Sequence, residues 1–219
     1  MITAGGLAGI LNVLLATVDI GDEVIVTDPP YVGLINRIRL AGGVPRFVPF
    51  QFTAGGAWTL DRGALRAAVS PSVRAMLLMS PSMPSGACFD VDDWTSICEL
   101  CVANDLLLIL DTAMERLVYD NGKVSHPAGL PGMEERTITV GSSAKELRMI
   151  GWRVGWIVAP ERFIPDVTAV SLANGTERSA SWCAGRWMVA SHASVRLRGS
   201  ESVFDPHCDA RPRQVIPWQ

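Results

Sequence analysis

Residues 106–111 are Leu-Leu-Leu-Ile-Leu-Asp, a run of apolar side chains that ends at a carboxylate. A short and fully apolar run is typical of a strand that is buried on both faces of a parallel sheet. Residues 91–104, which precede it, have the apolar spacing of an amphipathic helix, and residues 74–79 (RAMLLM) are a second apolar run. This order of strand, helix and strand predicts a parallel sheet against which helices pack.

The same alternation extends in both directions, from the start of the chain to about residue 175. Strands are predicted at residues 23–27, 44–48, 74–79, 106–110, 136–140 and 154–158. Helices are predicted at residues 7–18, 31–40, 60–69 and 91–104, with Asp61 as the cap of the third. We therefore predict an α/β fold of three layers, in which a mostly parallel sheet has helices on both faces.

The last part of the chain has a different character. Residues 177–219 show no sustained period of 2 or 3.6, and mix arginine, serine, histidine, tryptophan and proline without pattern. We expect residues 1–180 to form one large domain and residues 181–219 to form an irregular tail that is poorly ordered or only locally helical.

Composition excludes several classes of function. The formal net charge of -3 in 219 residues gives no electrostatic reason to expect a nucleic-acid or membrane partner. No apolar run reaches the roughly 18 residues that span a bilayer, and no basic segment of a secretory signal precedes the first helix. Cys98 and Cys101 have the spacing of half a zinc site, but small apolar packing is the favoured interpretation because no second pair accompanies them. We expect a cytoplasmic protein without a metal.

Two segments between the last two predicted strands have residues that can carry chemistry. They are Gly141-Ser142-Ser143-Ala144-Lys145 and Gly151-Trp152-Arg153-Val154-Gly155. The chain has two lysines, Lys123 and Lys145, among its 19 basic side chains. A reaction that needs a lysine amine therefore has only two candidates.

Other polar or glycine-rich segments follow the predicted strands or begin a helix. Asp111 comes directly after the central strand, and Asp28-Pro29-Pro30-Tyr31 follows residues 23–27. Ser80-Pro81-Ser82-Met83-Pro84-Ser85-Gly86 follows residues 74–79, and Gly5-Gly6-Leu7 begins the first helix. Ligands of doubly wound sheets bind beyond the carboxyl ends of the strands, so these segments predict a binding site there.

Taken together and in this order, the segments resemble those of class I and II aminotransferases, pyridoxal-phosphate enzymes of fold type I. The resemblance implies that Lys145 binds the cofactor as a Schiff base and transfers protons, that Asp111 pairs with its ring nitrogen, and that Tyr31 stacks on its ring. Ser142, Arg153 and the backbone at Gly6 would bind the phosphate. Leu7 stands where a hydroxyl often contacts that phosphate, while Met83 and Met114 replace an asparagine and a tyrosine that donate to the phenolic oxygen.

The resemblance further implies transfer of an amino group between an amino acid and a 2-oxo acid, in a homodimer. It also implies an additional N-terminal segment and a C-terminal domain with an arginine for the substrate carboxylate, so the chain is expected to be a truncated large domain. Two alternatives remain open. A lyase or decarboxylase could use the same cofactor, which the changes at Met83 and Met114 allow, or the chain could be a catalytically inactive remnant.

Overall fold

The computed structural model describes residues 1–119 and 125–174. Within them, the strands form one eight-stranded sheet in the order β1-β8-β7-β6-β5-β2-β3-β4. The strands are β1 (Ile2–Thr3), β2 (Glu23–Asp28), β3 (Val44–Phe52), β4 (Trp58–Leu60), β5 (Val73–Met79), β6 (Leu107–Asp111), β7 (Thr137–Ser142) and β8 (Gly155–Val158). The predicted tail at residues 181–219 lies outside the described residues.

Five neighbouring strands, β7, β6, β5, β2 and β3, pair in parallel. The antiparallel strands lie at the two sides of this group: β4 pairs with β3, β8 pairs with β7, and β1 pairs with β8. The predicted mostly parallel sheet is therefore confirmed.

The described residues contain six helices, with shorter 3-10 turns among them. The helices are α1 (Gly6–Thr17), α2 (Val32–Leu40), α3 (Arg62–Ala68), α4 (Val91–Ala103), α5 (Ser143–Glu146) and α6 (Ile164–Ala173). Asp61 caps α3 as predicted, because its carboxylate accepts the Ala64 N–H at 2.8 Å. In the described part of the chain, no helix has the length and apolarity to cross a membrane.

The central strand β6 divides its side chains between two apolar cores. Leu107 and Ile109 belong to the core that also contains side chains of α1, α2 and α6. Leu108 and Leu110 belong to the core on the other face, with side chains of α3 and α4. Both faces of the sheet are thus covered by helices, which confirms the predicted three layers and explains the apolar run.

Some elements differ from the sequence-based prediction. β3 continues four residues beyond the predicted end at Val48, because Phe50–Phe52 pairs with the short strand β4. The prediction ended before Pro49, which lacks the N–H of a central strand. The helices α5 and α6 and the strands β1 and β4 were not predicted. Cys98 and Cys101 are buried among apolar side chains of α4, as expected.

The strand directions bring the candidate residues to one edge of the sheet. β2, β5, β6 and β7 all have their carboxyl ends at this edge, which we call the carboxyl edge. Thr3 at the end of β1 and Ser142 at the end of β7 both pair with Gly155 at the start of β8. The residues that follow Thr3 and precede Gly155 therefore reach the same edge.

Candidate active site

Several groups that can bind an anion lie where α1 begins. Gly5 precedes the helix with a φ of 94°, a conformation that favours glycine. The Arg153 guanidinium lies against this turn: Nη2 donates to the Ala4 carbonyl oxygen at 3.4 Å, and a Cβ on Gly5 would lie 2.5 Å from Nη2. Ser142 lies beside Gly6, where an added Cβ would be 3.1 Å from the Ser142 Cβ. Helix N–H groups, a hydroxyl and a guanidinium thus converge on one small surface.

Close backbone contact builds this surface. A Cβ on Gly155 would lie 2.6 Å from both the Gly5 carbonyl carbon and the Gly6 nitrogen. The buried Thr3 hydroxyl donates to the Gly5 carbonyl oxygen at 3.1 Å. Gly155 is therefore required by the approach of β8 to the start of α1, a role that the sequence pattern did not specify.

Asp111 ends β6 and is 5% exposed. Its Oδ1 accepts the Ala113 N–H at 2.9 Å. Burial raises the pKa of Asp111 to about 6, while the Ala113 N–H and the positive charge of Lys145 oppose the rise. Functional sites often contain a buried carboxylate whose pKa is shifted by burial and by a nearby charge, and Asp111 has both features.

Lys145 lies on α5, a helix of one turn that follows β7 directly. The Ser142 hydroxyl accepts the Ala144 N–H at 3.2 Å and caps this turn. The fully buried Ser143 is fixed by two hydrogen bonds from its N–H and hydroxyl to the Val154 carbonyl oxygen, at 3.1 and 2.9 Å. Lys145 itself is exposed, so its amine is accessible at the carboxyl edge.

The other candidate residues form an apolar part of the same edge. They are partly buried and pack against the core under α1 and α2: Leu7, Tyr31, Met83 and Met114. The Tyr31 ring folds over the first turn of α2, where a Cβ on Gly33 would lie 2.5 Å from its Cε1. This arrangement supplies apolar and aromatic surface for a planar ligand.

These features fit pyridoxal phosphate. The start of α1 with Ser142 and Arg153 suits a phosphate, Asp111 suits a cationic ring nitrogen, and the accessible Lys145 amine suits an aldehyde. Among the described residues, no group of three or more histidine, cysteine, aspartate or glutamate side chains could hold a metal ion.

A separate depression of about 750 Å³ lies at the opposite, amino edge of the sheet, lined among others by Asp22, Arg74 and Asp105. Asp22 precedes β2, Arg74 lies near the start of β5, and Asp105 precedes β6. The depression is therefore separated from the Lys145 site by the length of the strands.

Comparison with known proteins supports the same interpretation. The family model of aminotransferase class I and II matches residues 1–192. Kynurenine–oxoglutarate transaminase 3 of Homo sapiens is 33% identical over 78% of this chain and 39% of the relative. A probable N-succinyldiaminopimelate aminotransferase of Mycobacterium tuberculosis is 36% identical over 77% of this chain and 42% of the relative.

Solved structures agree with these relatives. The N-succinyldiaminopimelate aminotransferase of Mycobacterium tuberculosis has a TM-score of 0.83 and 32% identity, and covers 89% of this chain and 50% of that one. A double mutant of the Thermus thermophilus aspartate aminotransferase has a TM-score of 0.78 and 30% identity, and the match covers 87% of this chain and 49% of that one. The chain spans about two fifths of these curated relatives and about half of these solved structures.

Proposed function

Because the chain belongs to the family of class I and II aminotransferases, we propose that it carries the pyridoxal-phosphate site of an enzyme that transfers an amino group between an amino acid and a 2-oxo acid. One observation supports this most directly: the buried Asp111 carboxylate ends β6, and Lys145 lies on α5 directly after β7, the parallel neighbour of β6, so both residues lie at the carboxyl edge. We further propose that the enzyme is a cytoplasmic homodimer.

The cofactor would be held by three groups of residues. Arg153, Ser142 and the N–H groups at the start of α1 would bind its phosphate through charge-assisted hydrogen bonds. Asp111 would bind the ring nitrogen and hold a positive charge there, because a buried anion stabilises a cation beside it. Tyr31 would lie against the ring, and Leu7, Met83 and Met114 would exclude water from the apolar part of the site.

When bound, pyridoxal phosphate supplies an aldehyde that reacts with amines and a ring that accepts the electron pair left when a Cα–H bond breaks. The Lys145 amine would hold the cofactor until an amino acid displaces it. The freed amine would then remove the proton from the substrate Cα and deliver it to the carbon that comes from the cofactor aldehyde. Asp111 would remain ionised throughout, and its charge would stabilise the protonated ring nitrogen.

Product analysis tests this function. The purified protein with cofactor would be incubated with single amino acids, and the 2-oxo acid, ammonia and carbon dioxide would be measured. Amino-group transfer predicts one 2-oxo acid per site without ammonia or carbon dioxide, and further turnover only when a second 2-oxo acid is added. Lys145→Ala is the control and should give no product.

The same measurement separates the alternatives. Carbon dioxide would indicate a decarboxylase, and ammonia together with a cleaved side chain would indicate a lyase. Loss of all product, in a protein that does not bind the cofactor, would indicate a remnant. Each of these results would contradict the proposed function.

A further inference from the structure

The residue that follows Lys145 is a buried carboxylate. Glu146 is the last residue of α5, and its side chain is 6% exposed although Lys145 is exposed. Burial raises the pKa of this carboxyl above its ordinary value, and its contacts with Arg116 oppose the rise. A buried carboxylate is costly unless it is well paired, so its contacts need an explanation.

Both oxygens of Glu146 contact Arg116, thirty residues earlier in the chain. Oε1 accepts the Arg116 backbone N–H at 2.7 Å, and Oε2 lies 3.5 Å from the Arg116 Nε. The Arg116 side chain is 62% exposed, so the ion pair is weakened by solvent. The short bond from the backbone N–H is therefore the stronger contact.

Arg116 belongs to the loop that begins directly after Asp111. In this loop, Ala113 donates to the Asp111 carboxylate at 2.9 Å and Glu115 donates to the Thr112 carbonyl oxygen at 3.1 Å. Thr112 is fixed in turn, because its N–H donates to the Val140 carbonyl oxygen at 2.9 Å. Separate hydrogen bonds thus fix the loop at several residues between Asp111 and Arg116, and the bond from Arg116 to Glu146 ties this loop to α5.

The one turn of α5 depends on such anchors. A helix of four residues is not stable by itself, because the first turn fixes many dihedral angles for one hydrogen bond. The Ser143 bonds to Val154 hold the beginning of the turn. Glu146 holds its end, and Lys145 lies between the two anchors.

We propose that Glu146 is a positioning residue: its carboxylate joins α5 to the loop after Asp111 and thereby holds the Lys145 amine near the Asp111 carboxylate. This inference rests on the proposed function, since it concerns the reactivity of Lys145 toward the cofactor aldehyde. Glu146 would not contact the substrate or the reacting atoms.

Reductive trapping tests the proposal without measuring turnover. The protein would be incubated with a limiting concentration of pyridoxal phosphate and reduced with borohydride, and the rates of modification of Lys145 and Lys123 would be compared by peptide mapping. Lys123 in the same chain is the internal reference, so the ratio of the two rates is insensitive to a general loss of cofactor or protein.

Three variants of Glu146 distinguish the effect of its side-chain length from the effect of its charge. Glu146→Gln keeps an oxygen at the same distance and should retain the wild-type ratio within about twofold. Glu146→Asp keeps the charge but is one methylene shorter, and Glu146→Ala removes the acceptor, so both should lower the ratio about tenfold. Glu134→Ala, at an exposed glutamate before β7, should leave it unchanged.

The outcomes are distinguishable from failure of the function itself. A wild-type ratio that favours Lys145 but does not fall in the Asp and Ala variants overturns the role of Glu146 alone. A Gln variant whose ratio of modification rates is as low as that of the Ala variant also overturns it, because an acceptor oxygen at the same distance would then have no effect. A wild-type protein without preference for Lys145 overturns the proposed function and this inference together. If the Ala variant does not fold, the Gln and Asp variants still decide the question.

Discussion

The environment of Asp111 differs from that of an ordinary surface carboxyl, because the side chain is buried at the end of β6. Its pKa of about 6 in the folded protein lies above the value of roughly 3.9 for an unfolded chain. The folded state therefore binds this proton more tightly than the unfolded state, and ionisation of Asp111 opposes folding. Without cofactor, the free energy of unfolding should fall as the pH rises from the unfolded pKa to the folded pKa of Asp111. The full loss of stability should be reached above the folded pKa.

Replacing Asp111 with asparagine tests the predicted direction of this pH dependence. The amide oxygen can still accept the Ala113 N–H, but it cannot ionise. At pH 7.5 the variant without cofactor should be more stable than the wild type by up to about 3 kcal/mol, from about 1.4 kcal/mol per pKa unit. At pH 4 the two proteins should be nearly equal. Urea unfolding across this pH range measures the difference, and equal stability at both pH values would show that Asp111 is not desolvated as described.

The same variant should bind the cofactor less tightly. Loss of the charge that holds the ring nitrogen removes a charge-assisted hydrogen bond, so affinity for pyridoxal phosphate should fall at least about tenfold. Quenching of tryptophan fluorescence would measure this affinity. An Asp111→Asn protein with unchanged affinity would place the ring nitrogen elsewhere.

Individual residues also show what the sequence could specify. Asp111, Ser142 and Lys145 were singled out because the segments that contain them resemble those of the family in order and spacing. The strand pattern adds that these segments lie where strands end, and such ends meet at one edge of a parallel sheet. Glu115 and Arg116 look like solvated surface charges in the sequence. In the structure Glu115 lies 3.4 Å from His126, and Arg116 contacts Glu146. Such contacts depend on how loops approach one another, which periodicity does not encode.

At the scale of elements, we propose that the start of α1 and the segment before β8 form one anion-binding unit. Arg153 should contribute mainly through the phosphate of the cofactor. Arg153→Ala should therefore weaken binding of pyridoxal phosphate about tenfold or more but leave binding of pyridoxal, which lacks the phosphate, almost unchanged. Arg148→Ala is a matched control, since Arg148 is exposed and has a similar left-handed backbone. Equal losses for both ligands would contradict the assignment.

The close packing of β8 against the start of α1 can be tested by substituting Gly155. A methyl group there would collide with the backbone of Gly5 and Gly6, whereas one on Gly151 meets no atom within 4 Å. Gly155→Ala should lower the free energy of unfolding by about 1–3 kcal/mol, and Gly151→Ala should have little effect. Urea unfolding of the two variants provides the comparison, and equal stability would mean that β8 and α1 do not approach this closely.

The elements that sequence could not predict have physical explanations. β4 has three residues at the side of the sheet, and its partner residues in β3 follow Pro49. The antiparallel direction of β8 follows from the short connection after β7, where α5 and a 3-10 turn occupy the carboxyl edge. By contrast, the buried central strands were predicted because their apolar runs leave few alternatives.

At the scale of the whole molecule, the described residues form a sheet covered on both faces, and one edge of it brings together the start of α1, a buried carboxylate and an accessible lysine. The sequence-based prediction of the three-layer fold is confirmed, and the family is shown by the match over residues 1–192. The assignment of individual roles to Lys145, Asp111 and Arg153 remains a set of predictions.

Chemical mapping can identify the lysine that carries the cofactor. The protein would be saturated with pyridoxal phosphate and reduced with borohydride, and the modified peptide would be sequenced. Lys145 should be modified in nearly every molecule at saturation, and at a limiting cofactor concentration it should be modified much less in Asp111→Asn than in the wild type. Modification of Lys123 instead, or labelling of Lys145 that is insensitive to Asp111, would contradict this prediction.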